Sequence, residues 1–87
     1  MGEAESKMLA YIQLRHEEGA LSVTEAEIFG AIIPADQPEL RHRSAYRYGI
    51  DRLLRRHVIN AIDDKTGTTH YFIGNFPTAE LRQSLGL

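Results

Sequence analysis

Six arginines crowd the stretch from Arg41 to His57, at positions 41, 43, 47, 52, 55 and 56, and face a single acid, Asp51. Guanidinium groups at this density suit the binding of phosphates or carboxylates, because each presents a planar fork of donors that stays charged at physiological pH. The stretch carries +5, and since the whole chain carries -2, the other seventy residues carry -7. One basic face on an otherwise acidic domain is the electrostatic footprint of a surface offered to a polyanion.

Other chemistries find little support. The four histidines, at 16, 42, 57 and 70, show neither an i,i+4 pair with an intervening Glu nor a zinc spacing, and the chain has no cysteine. Disulfides, thiolate metal sites and a cysteine nucleophile are therefore excluded. A serine nucleophile elbow, a phosphate-binding glycine loop and a dinucleotide fingerprint are absent. Glu17-Glu18 and Asp63-Asp64 are chain neighbours whose carboxyls splay apart, which argues against a shared-proton dyad. No enzyme activity, metal or cofactor is expected. The opening Met1-Gly2-Glu3-Ala4-Glu5-Ser6 fits the loose myristoylation pattern, but its acidic flank lacks the basic second signal that anchoring needs.

The elements that position the arginines belong to one small domain. Eighty-seven residues, 43% hydrophobic and 25% charged, suffice for a single core. The longest apolar stretch, Ile28 to Ile33, is far short of the roughly 18 residues that cross a bilayer, so no membrane span is expected. The start has no secretory signal pattern, which predicts an intracellular, cytoplasmic protein.

Met8, Leu9, Tyr11 and Ile12 fall at helical spacing and predict a first helix over about 4–18, with His16 and its apolar face at the boundary and Gly19 as a left-handed stop. Thr24-Glu25-Ala26-Glu27 is a capping box flanked by Val23 and Ile28 as a hydrophobic staple, so a second helix is expected over about 25–33, ended by Pro34. The connection through Pro34 and Pro38 permits at most one turn from Pro38 onward. Tyr46, Ile50, Leu53, Leu54 and His57 form the apolar stripe of a third helix over about 44–57, with Ser44 as its N-cap. A hairpin over about 58–73 turns at Asp64-Lys65-Thr66-Gly67, where Gly67 takes the positive φ. A last short helix over 78–85 is capped by Thr78 and carries Leu81 and Leu85 on one face.

The order of helix, short capped helix, arginine-rich helix and β-hairpin over residues 4 to 74 resembles the winged helix-turn-helix fold, an α+β class with a three-helix core. The stretch Ser44-Ala45-Tyr46-Arg47-Tyr48-Gly49-Ile50-Asp51-Arg52-Leu53-Leu54-Arg55-Arg56-His57-Val58-Ile59 looks like the recognition helix and first wing strand of winged-helix transcriptional regulators. Where such regulators often carry Gly before the wing, this chain has His57, and its turn between the second and third helices is longer than usual. The resemblance implies a regulator of double-stranded DNA whose third helix enters the major groove. It also implies a homodimer, with the first helix and the Leu81/Leu85 tail as available surfaces.

Helical geometry puts Ser44, Arg47, Tyr48, Asp51, Arg52 and Arg55 opposite the apolar stripe. Arg41 and Arg43 are then expected at phosphates, Arg47 with Ser44 and Tyr48 nearest the base edges, and Lys65 with Thr66 at the flanking backbone. Two structural readings stand beside this. Arg47, Asp51 and Arg55 at i,i+4 can pair on a solvated face, and Asp63 and Asp64 can build the hairpin turn. The alternative function is a protein-interaction module in which the arginine face docks an acidic partner anchored by Tyr48.

Overall fold

In the computed structural model, which describes residues 1–87, helix α1 spans Glu3–Glu17 and buries Ala4, Glu5, Met8 and Ile12 along one stripe. Gly19, at φ 96°, turns the chain out of the helix, and Ala20 closes the end by donating to the Arg15 carbonyl. Strand β1 is only Val23–Thr24 and leads straight into α2, Glu25–Ile32. The capping box forms in full: Thr24 Oγ1 accepts from the Glu27 amide, and the Glu27 carboxylate accepts from the Thr24 amide. Both staple residues, Val23 and Ile28, join the main core. Ile33 is extended, as a residue before proline prefers, so α2 stops one residue before the expected boundary.

A 3₁₀ turn, Pro38–His42, follows, with Pro38 in the first turn where its missing N–H is harmless. The expected third helix is then two helices, α3 at Ser44–Arg47 and α4 at Gly49–Arg55. Arg43, not Ser44, occupies the N-cap, and no side chain caps it. The break lies at Tyr48, φ -110° and ψ 3°, where Tyr48 N–H still reaches the Ser44 carbonyl and the Tyr48 carbonyl still accepts from Arg52. Its physical reason sits next door: a Cβ on Gly49 would lie 2.8 Å from Met8 Sδ, so α4 presses its backbone onto α1 and the chain bends to allow it.

Helix α4 ends in a Schellman turn. Arg56 is the C-cap, His57 N–H donates to the Leu54 carbonyl at 3.1 Å, and Val58 N–H donates to the Leu53 carbonyl at 3.3 Å. His57 takes the left-handed position at φ 59° and is exposed, so it leaves the apolar stripe that sequence spacing assigns to it. His16 is exposed as well.

Strands β2, Asn60–Asp63, and β3, Thr69–Phe72, form the expected hairpin, each shorter than its β-prone stretch. The sheet gains an unexpected third strand, because β1 pairs with the other edge of β3 to give the antiparallel order β1-β3-β2. Tyr71 on the central strand faces the helices and completes a core of Met8, Ile12, Val23, Ile28, Ile50, Leu53 and Ile59. Each such burial contributes roughly 1.5–3 kcal/mol for a large aliphatic side chain. Phe72 points to the other face, where Leu81 of α5, Ala79–Ser84, lines a small cavity with it. Thr78 caps α5 by accepting from the Leu81 amide at 3.1 Å. Leu81 is 1% exposed, and Leu85, the other apolar residue on the tail face, is half-buried. No helix is long and apolar enough to cross a membrane.

Candidate nucleic-acid interface

The 3₁₀ turn, α3 and the break after it form one continuous, largely exposed segment, hereafter the corner. Arg41 lies on the turn, Arg43 at the N-cap of α3, Ser44 and Arg47 at its two ends, and Tyr48 at the break, all five exposed. Neither Arg41, Arg43 nor Arg47 has a carboxylate within ion-pair distance, and Arg55 on α4 is likewise unpaired. The i,i+4 ladder of Arg47, Asp51 and Arg55 therefore does not form. Instead the Arg47 guanidinium lies 5.4 Å from the centroid of the Tyr48 ring, an arrangement worth roughly 0.5–1 kcal/mol at an exposed site. The stacked pair gives Tyr48, 45% exposed, a partner within the chain.

Arg52 departs from the expected set. It turns toward α1, where its Nη1 lies 3.7 Å from Glu5 Oε1, and Arg56 places its Nη1 3.5 Å from Glu5 Oε2. Glu5 is 5% exposed, and its Oε2 has no hydrogen bond, so attraction to the two guanidiniums is what holds this carboxylate in place. The signal was in the spacing: Glu5 shares the i,i+3,i+7 stripe of Met8 and Ile12, so an acid had to enter the interface with α4 and find cations there.

At the hairpin tip the acids build the turn. Asp64 Oδ1 accepts from the Thr66 amide at 2.8 Å, the Thr66 hydroxyl at 2.6 Å and the Thr68 amide at 3.1 Å. Its Oδ2 accepts from His70 Nε2 at 2.8 Å, and Asp63 accepts from the Thr69 hydroxyl. The Thr66 hydroxyl first and then His70 hold Asp64 far below the usual carboxylate range, with desolvation opposing them and the Thr66 and Thr68 amides adding smaller effects. Thr66 is exposed, with its hydroxyl donating to Asp64. Gly67, at φ 88°, takes the predicted left-handed position. Lys65 is exposed and unpaired, and its Nζ lies 3.8 Å from where a Cβ on Gly86 would stand, so it leans over the C-terminal end of α5.

Sequence reasoning missed the link from this tip to β1. His70 Nδ1 lies 3.3 Å from Ser22 Oγ, giving a Ser22–His70–Asp64 chain across 48 positions of sequence. No cavity is lined by His70 or Asp64, and the contacts of the three side chains tie β1 to the hairpin. No cluster of three metal-ligating side chains is formed.

A second charged neighbourhood surrounds Tyr71. Burial first, then the carboxylates of Glu25, Asp51 and Asp63, push its phenol above the usual range. These acids come from α2, α4 and β2. No protein-family model, curated protein or solved structure matches this chain.

Proposed function

We propose that the chain is a winged helix-turn-helix domain that binds double-stranded DNA as a regulator in the cytoplasm. The observation that carries this reading is the corner of residues 41 to 48, where three arginines stand exposed without a carboxylate partner. A free guanidinium loses no internal bond when it meets a phosphate, and each phosphate neutralised releases counterions. Arg41 and Arg43 hold the backbone, Ser44, Arg47 and Tyr48 lie nearest the base edges, Arg55 extends the contact along α4, and Lys65 touches the flanking backbone. The element order supports the same reading, with the hairpin as wing and α3–α4 as an interrupted recognition helix. A homodimer through α1 fits the exposure of Leu14, and sedimentation at micromolar concentration tests it.

The deciding experiment is fluorescence anisotropy on a mixed-sequence duplex across a salt series, with wild type and Arg47→Ala. Log affinity is expected to fall against log salt with a slope of about -3 to -4 for four phosphates, and binding is expected to be weaker in the variant. The three carboxylates around Tyr71 favour a second reading, because they repel a phosphate backbone laid across α4 toward the hairpin. In that case the corner docks an acidic protein segment, with Tyr48 as anchor. Absence of duplex binding at low salt would move the assignment to it.

A further inference from the structure

Gly30 has no conformational or packing reason to be glycine. It sits inside the eight-residue helix α2, its φ is not left-handed, and a Cβ built on it meets nothing within 4 Å. An interior glycine weakens a helix by about 1 kcal/mol relative to alanine, so the position gives up stability without relieving any clash. What its missing side chain does leave is space. Gly30 lines a cleft of about 410 Å³ between α2 and the segment leading into the 3₁₀ turn, within the range of roughly 300–1,000 Å³ typical of small-molecule sites.

The lining has a definite chemistry. Phe29, Ile33, Pro34 and Pro38 supply apolar wall, Arg41 is its one cation and Glu25 its one anion. Arg41 has no carboxylate partner in the chain, so a guanidinium fork is available at the cleft. Glu25 repels a second negative charge on anything that enters.

From these features we infer that the cleft binds a small apolar monocarboxylate, with its carboxylate on Arg41 and its body against Phe29 and Ile33. A dicarboxylate is disfavoured by Glu25, and a neutral apolar molecule leaves Arg41 without its partner. The cleft is inferred without the DNA reading, but the two surfaces share Arg41, so an occupied cleft removes one cation from the corner.

The test is amide chemical-shift titration of the full chain with 3-phenylpropionate, beside 3-phenylpropanol as the uncharged control. Saturable amide shifts are expected at residues 29–33, 35 and 41 with millimolar probe, with affinity weaker by about tenfold in Arg41→Ala and binding lost in Gly30→Leu. Thermal unfolding checks that Gly30→Leu is folded, and the exposed Arg41→Ala gives an independent readout. No saturable shift, or shifts centred elsewhere, would overturn the site. Equal affinity for the alcohol, or an Arg41→Ala variant that binds the carboxylate as wild type does, would overturn the ligand class.

Discussion

The corner at residues 41–48 and the hairpin tip at residues 63–70 hold the same kinds of side chain, cations beside hydroxyls, yet they differ in what those groups have left to give. At the tip, Asp64 gathers two amides, a hydroxyl and an imidazole, and Asp63 takes the hydroxyl of Thr69. At the corner, Arg41, Arg43 and Arg47 meet no carboxylate, and Arg47 touches only the face of Tyr48. Residue type alone does not mark a binding surface. Unused hydrogen-bonding capacity does, because a group already paired must break one bond to make another.

Substitutions should separate the two regions cleanly. Arg43→Ala with Arg47→Ala is expected to weaken duplex binding at low salt by about a hundredfold, while stability falls by no more than about 1 kcal/mol, the loss of the Arg47–Tyr48 contact. A loss of stability with unchanged binding would reverse the comparison. Asp64→Asn should remove the acid sensitivity of the hairpin. The Asp64 carboxyl is depressed in the folded state, so its stabilisation is present above the unfolded value of about 3.9 and is lost as pH falls below it. Protection factors of the 63–70 amides against hydrogen exchange should therefore fall below about pH 4 in wild type and change little there in the variant.

Glu5→Gln sharpens the comparison from the third set of cations. It releases Arg52 and Arg56 while keeping the side-chain shape, and should steepen the salt slope by about 1 to 2. An unchanged slope would place both arginines off the DNA path. Thr66→Val is expected to cost about 1 kcal/mol in chemical denaturation and leave duplex affinity alone. Smallest is His57→Gly, which relieves a left-handed non-glycine residue and should stabilise by roughly 0.5 kcal/mol after the larger unfolded-state entropy of glycine is counted.

What was legible in the sequence was local. Thr24 and Glu27 are three residues apart, so their mutual capping needs no other part of the chain, and Gly67 marks its turn in the same way. The α1 and α5 boundaries fall within one residue of expectation for a like reason, since spacing and caps define them. What was not legible depends on remote partners. The break at Tyr48 follows from the approach of Met8 to Gly49, and β1 is two residues long and exists only through β3. In the candidate site, Arg41, Arg43, Ser44, Arg47 and Tyr48 are all exposed. The bonds of Asp64 at the hairpin tip are local and were legible, whereas the pairing of Arg52 with Glu5 joins two helices and cannot be seen without the fold.

The strand order also governs how the chain comes to be made. The central strand of the sheet, β3, is the last of the three in sequence, and Val23 finds its partner only at Tyr71. During synthesis from the N-terminus, β1 and β2 emerge with nothing to pair against, and the core stays open on the side that Tyr71 closes. Closing so long a loop before any sheet contact forms slows folding relative to a bundle of local helices. A ribosome stalled before residue 69 would hold helices without a sheet, and the native domain should appear in one cooperative step only after Phe72 has left the exit tunnel.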